Sequence, residues 1–319
     1  MDIIVFRADE LSIALGAMRS VVRNLSLRQQ HYLETLARLH GSPLRARQIK
    51  AAPLQLVAAT IRDAHARKRL VQLAIVLIMV DGHVLREPAA DVTELARVLE
   101  VEEPAIATLP KLVARRALAT RVSVMRRILG KFLGEAWRDE RWAGVRQVLF
   151  GFLGIGRDRA TAQRFNRLAH FPAGSLGRAL SDYCAANKFG LPGNPGAIPE
   201  RVLFHDIGHL LSGYGTDPAG EIQQAAFQAG FVRKDGFAFL FFGIIQFHLG
   251  IKITPVAAPE VGYFDIERVM TALARGAACK VDLSDRWNFW AVADRQLDQV
   301  RAQLRVTPPS AAAKRAANG

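Results

Sequence analysis

From Leu11 to Leu39, and again from Leu54 to Val80, apolar residues recur at intervals of three and four, with Ala and Arg filling the gaps. That period places the apolar side chains on one stripe of a helix. Alternation of period two, the mark of a half-buried strand, is rare along the whole chain. The sequence therefore predicts an all-α protein. With 319 residues, half of them hydrophobic, there is enough chain for a sizeable core and for two domains.

Several classes are excluded early. Two cysteines, Cys184 and Cys279, cannot build a disulfide scaffold or a cysteine-based zinc site. The opening "MDIIVFRADE" carries acids where a signal peptide carries bases. The longest apolar runs, "LVQLAIVLIMV" (70–80) and "AFLFFGIIQF" (238–247), fall short of the ~20 residues a spanning helix needs. The expectation is a cytoplasmic protein, peripheral on the cytoplasmic face of the inner membrane.

The net charge of +14 is uneven: residues 1–160 hold 26 Lys/Arg against 16 Asp/Glu, and 161–319 hold 17 against 13. Such a field draws anionic partners, a membrane surface or nucleic acid. Within 111–146, ten Lys/Arg and three acids alternate with Leu, Val, Phe and Trp. This reads as an interfacial helix with Trp137 and Trp142 at the apolar boundary, or as the solvated face of core helices. No nucleic-acid recognition motif accompanies it, and none is expected as a partner. "FGFLGIGRDRA" (150–160) is the candidate boundary, giving a basic helical region over 1–155 and a second helical domain over 156–306. "GLPGNPGAIP" (190–199) is a loop, and 307–319 reads as a disordered tail.

Around 70–104 a buried-looking helix is followed by "DGHVLREP" and then by "AADVTELARVLEV". Gly82 suits a left-handed cap and Pro88 a helix opening. Through Asp81, Gly82, Glu87 and Leu95 this stretch resembles the tellurite-resistance TerB-like helical domain, over residues 50–150. The resemblance implies a cation site at Asp81 and Glu87; the residues alone also fit a plain capped helix–turn–helix.

The chemistry concentrates in "LFHDIGHLLSGYGTDPAGEIQQAAF" (203–227). Pro199 and Glu200 mark a helix start, and "GYG" ends it after Ser212. His205 and His209, four apart, share one face. Asp217 with Pro218 reads as the N-cap and first residue of the next helix, which puts Glu221 one turn in. If the helices fold back antiparallel, Glu221 lies level with His209. Two histidines and a carboxylate suit zinc or a similar divalent cation with an open position. Asp206, about 100° around the helix, is either a further ligand or a base for bound water.

The pattern HDxxH, eleven residues, then Glu resembles the signature of the coenzyme Q (ubiquinone) biosynthesis protein family. "PAGSLGRALSDYCAANKF" (172–189), "FHLGIKI" (247–253) and "ARGAACKVDLSDRWNFWAVADRQLDQVRAQL" (274–304) resemble further segments of that family, so the likeness spans about 160–305. It implies zinc at His205, Asp206, His209 and Glu221. It also implies a polyprenylated hydroxybenzoate substrate that loses its C1 carboxylate, by decarboxylation or replacement with hydroxyl, and other ubiquinone-biosynthesis proteins as partners; a second copy in a homo-oligomer is a separate expectation. The basic front half departs from the family.

In that setting Asp206 handles a proton, Arg178 meets a substrate carboxylate or else forms a helix-surface ion pair, and "GFAFLFFGIIQFHLG" (236–250), with Phe241, lines an apolar groove for the lipid tail or else packs as core. His248 is a ligand-facing or a hydrogen-bonded core histidine. Two rivals stand beside this reading. "FHDIGH" also resembles the HD-domain phosphohydrolases, with His170 as the available upstream ligand. A non-catalytic, zinc-stabilised lipid-binding scaffold fits the same residues.

Overall fold

The computed structural model describes residues 1–133, 158–195, 197–254 and 257–307. All of its regular elements are helices, as the spacing predicts; the only β pairings among the described residues are the isolated bridges Ser175–Gln296 and Leu249–Val261. Residues 150–157 of the boundary candidate, Trp137, Trp142 and the tail from residue 308 lie outside the described residues.

The front half runs α1 (Ala8–Ser20), α2 (Leu27–Leu39), α3 (Leu54–Thr60), α4 (Ala64–Leu77), α5 (Arg86–Val98), α6 (Leu109–Val113) and α7 (117–133). Each long periodic stretch is two helices rather than one, and a polar cap makes the division. Ser26 accepts from the Gln29 amide to open α2, and Asp63 accepts from the Ala66 amide to open α4. α4 is the centre of this half: Leu70 to Val80 are all buried. Gly82 takes the left-handed conformation at φ +82°, as its cap role requires. Pro88 falls on the third residue of α5, which opens two residues earlier than the proline suggests.

The back half runs α8 (Arg159–Asn166), α9 (Leu176–Ala186), α10 (Phe204–Ser212), α11 (Pro218–Phe231), α12 (Phe237–Phe247), α13 (Ile266–Ala277) and α14 (Leu297–Leu304). α11 is its axis, buried on every side from Gln224 to Phe231. It lies against α10, α12 and α13. The crossing with α13 is close because two glycines meet: a Cβ on Gly276 would stand 2.0 Å from the Phe227 carbonyl oxygen and 3.0 Å from Gly230 Cα. Apart from Gln246, α12 is apolar, and it is buried except at Phe242. Phe241 is 1% exposed and packs on Phe237, so this helix is core and not the wall of an open groove.

Buried apolar residues of both halves form one contiguous cluster, and polar ties hold the join. Arg28 donates to the Val80 carbonyl at 2.7 Å and to the Phe264 carbonyl at 2.6 Å. His248 Nε2 donates to the same Val80 carbonyl at 3.0 Å while its Nδ1 accepts from the Phe264 amide at 3.3 Å. His248 is thus a structural residue that joins the halves. Glu103, fully buried, pairs with Arg127 of α7 at 2.8 Å, and Arg127 also grips Asp235 in the α11–α12 turn. No helix among the described residues is long and apolar enough to cross a membrane.

Candidate metal centre

Local sequence builds a tight helical hairpin. After a 3-10 turn over Glu200–Val202 the chain enters α10, with Leu203, Phe204, Ile207 and Leu211 facing the core. That apolar face fixes the rotation of the helix and turns His205 and His209 toward α11. Gly213, at φ +78°, ends α10 in the left-handed region. The last carbonyls of α10 are taken by two arginines from later helices: Arg301 donates to Leu210 and Leu211 at 2.6 and 3.1 Å, and Arg275 to Ser212 at 2.9 Å. Asp217 Oδ1 accepts from the Ala219 and Gly220 amides, both at 3.0 Å, and opens α11 with Pro218 behind it. Gly220 is required by the turn, since a Cβ there would stand 2.2 Å from the Gly215 carbonyl oxygen.

The hairpin brings three side chains together. His205 Nε2 and His209 Nε2 are 3.2 Å apart, and each lies 3.5 Å from one oxygen of the Glu221 carboxylate. One ligand atom from each residue falls within 4.8 Å of the others. Both imidazoles are held by their other nitrogen. His205 Nδ1 donates to Gln228 Oε1 at 3.0 Å, and His209 Nδ1 donates to the Tyr214 carbonyl at 3.1 Å. These bonds fix the tautomer and leave both Nε2 lone pairs aimed at one small space, as the outer hydrogen bonds of a metal-bound histidine do.

Two facing lone pairs 3.2 Å apart repel unless a proton or a cation sits beside them. The donor set fits a cation well. Zinc bonds of about 2.0–2.1 Å in a tetrahedron put ligand atoms ~3.3–3.4 Å apart, close to the spacings found. Without metal, a proton takes the place. Burial opposes charge on His205, but the Glu221 carboxylate, the Asp206 charge and the Gln228 bond push its pKa up to about 9. His209 goes the other way, down to about 4, through burial and the His205 charge beside it. Glu221 is held below its usual value: burial works against the carboxylate, and both histidines outweigh it.

The site is sealed on one side. The His209 side chain is 1% exposed and stacks on Tyr183 of α9 at 6.0 Å, whereas the His205 side chain is 35% exposed. An open coordination position would therefore face solvent past His205.

Not all the expected residues converge. Asp206, expected as a fourth ligand, is outside the group formed by His205, His209 and Glu221. It points around the helix toward α9, near Tyr183 and Cys184, whose pKa values it helps to raise. Burial, with a further contribution from Glu221, raises the pKa of Asp206 itself, although His205 opposes the shift. The Asp206 carboxyl makes no hydrogen bond among the described residues, and the residue is 7% exposed. Arg178 is engaged locally: its Nε donates to Asp182 at 2.9 Å and its Nη1 to the Ala169 carbonyl at 3.0 Å, so its guanidinium is a helix-surface ion pair. Phe241 and His248 are core and junction residues, as described above. His170 is exposed and outside the group, which removes the upstream ligand that the phosphohydrolase reading needs. Asp81 accepts from Ser26 Oγ at 2.8 Å and ties the turn to α2; neither it nor Glu87 belongs to a group of three metal-ligating residues among the described residues.

Residues that the sequence reading passed over complete the site. Gln228 lies two turns beyond Glu221 on the same face of α11, a spacing of seven that was available to find it. Tyr183, Arg275 and Arg301 come from other helices and carry no local signal.

No family model matches the chain, and no curated protein does. Among solved structures, one that matches is of a "putative ubiquinone biosynthesis protein" from Nostoc punctiforme. It is 17% identical, with a TM-score of 0.33, over 60% of this chain and 88% of that one. A likeness of that size carries no argument about this chain.

Proposed function

We propose that this chain holds one divalent cation, zinc, through His205, His209 and Glu221, and uses the site in ubiquinone biosynthesis to remove the ring carboxylate of a polyprenylated hydroxybenzoate. The observation that carries the metal reading is the pair of Nε2 atoms 3.2 Å apart, both tautomers fixed, with the Glu221 oxygens 3.5 Å away. The substrate class rests on the resemblance of HDIGH…E and its flanking segments to the coenzyme Q biosynthesis family. A bound zinc supplies a Lewis acid for the headgroup oxygens.

The chain's own residues supply the rest. Gln228 and the Tyr214 carbonyl orient the imidazoles. Burial raises the pKa of Asp206, and in its acid form the carboxyl can deliver a proton. In the proposed step the bond from the ring to its carboxylate breaks and carbon dioxide leaves. The electron pair left on the ring carbon takes the Asp206 proton, and solvent reprotonates the carboxylate.

The test has two parts. Purified protein should carry about one zinc, lost in His205→Ala and Glu221→Ala. Asp206→Asn should keep the metal and lose ~100- to 10,000-fold in turnover, with the carboxylated precursor accumulating in cells. Equal metal content in all variants sinks the metal reading. A metal-loaded, fully active Asp206→Asn sinks the proton role and leaves a scaffold.

A further inference from the structure

The apolar sector of α7 is wider than the part the core covers. Val124 and Phe132 are buried, and Ile128 packs beside them on the core. About 100° around the helix from these, Leu118 is 74% exposed and Val122 52%, with Leu129 partly exposed in line with them. At about 100° per residue these three fall within roughly 40° of one another. Arg121 and Arg126, both exposed, flank the stripe.

The charge around this stripe is of one sign. Residues 104–134 contain seven Lys/Arg and no Asp or Glu. Arg127 is used internally, by Glu103 and Asp235. Arg115, Arg116, Arg121 and Arg126 are exposed and make no side-chain hydrogen bond or ion pair among the described residues. An apolar strip bordered by unpaired arginines costs solvation on one count and self-repulsion on the other, and no gain within the fold offsets either.

We propose that this face of α7 docks on an anionic lipid bilayer, with Leu118 and Val122 entering the acyl boundary and the arginines reaching lipid phosphates. Arginine stems lie along apolar surface while their heads stay at the polar level. Two other occupants fit less well. A second copy related by a two-fold axis would place this cationic patch against itself. Nucleic acid would satisfy the arginines but leave Leu118 and Val122 in water, and no exposed aromatic on the stripe offers a base something to stack on.

The face is wired to the metal hairpin. Near its far end α7 packs Phe132 on Phe204 and Phe239, with ring centroids 6.1 and 6.4 Å apart, and Phe204 is the residue before His205. The docking face and the hairpin are thus joined by direct packing. The docking proposal itself does not depend on the metal reading.

The test is co-sedimentation of the full chain with vesicles of phosphatidylcholine alone or with about a third phosphatidylglycerol, at low and high salt. Wild type should bind the anionic vesicles, and release should accompany high salt. Leu118→Glu with Val122→Glu should weaken binding ~100-fold or more. Arg121→Ala and Arg126→Ala should weaken it about fivefold each. These side chains are exposed, so circular dichroism and melting should be unchanged; Leu118→Ser with Val122→Ser serves as a second, uncharged variant. Failure of wild type to bind, equal binding to neutral vesicles, or undiminished binding by both double variants overturns the proposal. So does a dimer by light scattering that the double variants dissociate while vesicle binding persists. Tight salt-sensitive binding of duplex or single-stranded oligonucleotides without vesicle binding also overturns it.

Discussion

Gly208 lies between the two histidines and is where α10 touches α11. A Cβ built there stands 2.0 Å from Gln224 Nε2 and 3.1 Å from its Cδ. Gln224 is fully buried and engaged: it donates to the His205 carbonyl at 3.3 Å and accepts from Ser212 Oγ at 2.9 Å. Gly208→Ala therefore pits two effects against each other. Alanine in mid-helix gains about 0.8–1 kcal/mol in propensity. Displacing Gln224 or parting the helices costs about 1–3 kcal/mol in overpacking, plus ~1 kcal/mol for each hydrogen bond lost. The steric side wins, and the variant should be about 1–3 kcal/mol less stable in chemical denaturation. Because the helices must part by roughly an ångström to restore contact distance, Glu221 moves off the histidines. Zinc affinity, read by competition with a chromophoric chelator, should fall ~10- to 100-fold. Gln224→Ala removes the obstructing amide, so Gly208→Ala made in that background should cost nothing further and recover the propensity gain. Additive losses in the double variant, or wild-type metal affinity in Gly208→Ala, would refute the reasoning.

Two more outcomes follow from charges inside the fold. His205 is raised from an ordinary 6.5 to about 9 in the metal-free protein, so its proton stabilises the fold fully below pH 6.5 and that contribution is lost as pH rises through about 9; zinc must displace the same proton, and its apparent affinity should rise ~10-fold per pH unit between 7 and 9, a flat profile arguing against His205 as a ligand. Arg127→Leu should destabilise the protein by about 3–5 kcal/mol, since it strands Glu103 at 0% exposure and unpairs Asp235; urea denaturation measures it, and a loss under 1 kcal/mol would mean that water reaches Glu103.

What the sequence made legible was local along the chain. Asp217 and Pro218 open α11 through amides two and three residues on, and the His205–His209 spacing is fixed by one helical turn. Each of these needs no partner from elsewhere, so residue type and spacing suffice. Glu221 could be placed level with His209 because a short turn leaves a hairpin one way to close. Asp206 could not be settled in this way. One residue from His205, it is turned by about 100°, and whether that direction meets a metal or a different helix depends on what lies across from it. α9 lies there, and Asp206 stands near Tyr183 and Cys184 instead of in the ligand group. Arg178 shows the same limit from the other side: its partner Asp182 sits four residues on, so the ion pair was readable while the substrate contact was a guess about distant geometry. His248 belongs wholly to the long-range class, since both of its partners, Val80 and Phe264, are fixed only once the two halves meet.

That division bears on chemistry. The three residues that converge on a cation, His205, His209 and Glu221, are set by one hairpin and survive any rearrangement that leaves α10 and α11 paired. The group offered as the proton donor is set by a different contact, α10 against α9. Binding and proton transfer are therefore separable in this fold. A substitution on α9 that leaves the hairpin alone, such as Tyr183→Phe, touches the second without the first. Tyr183 stacks on His209 by its ring, which phenylalanine keeps, while its hydroxyl lies in the field of Asp206 and Glu221. Metal content should stay at the wild-type level in Tyr183→Phe, and any change in turnover should appear as an altered pH profile. Metal loss in that variant would mean that α9 shapes the ligand set directly, and the two functions would then have to be treated as one.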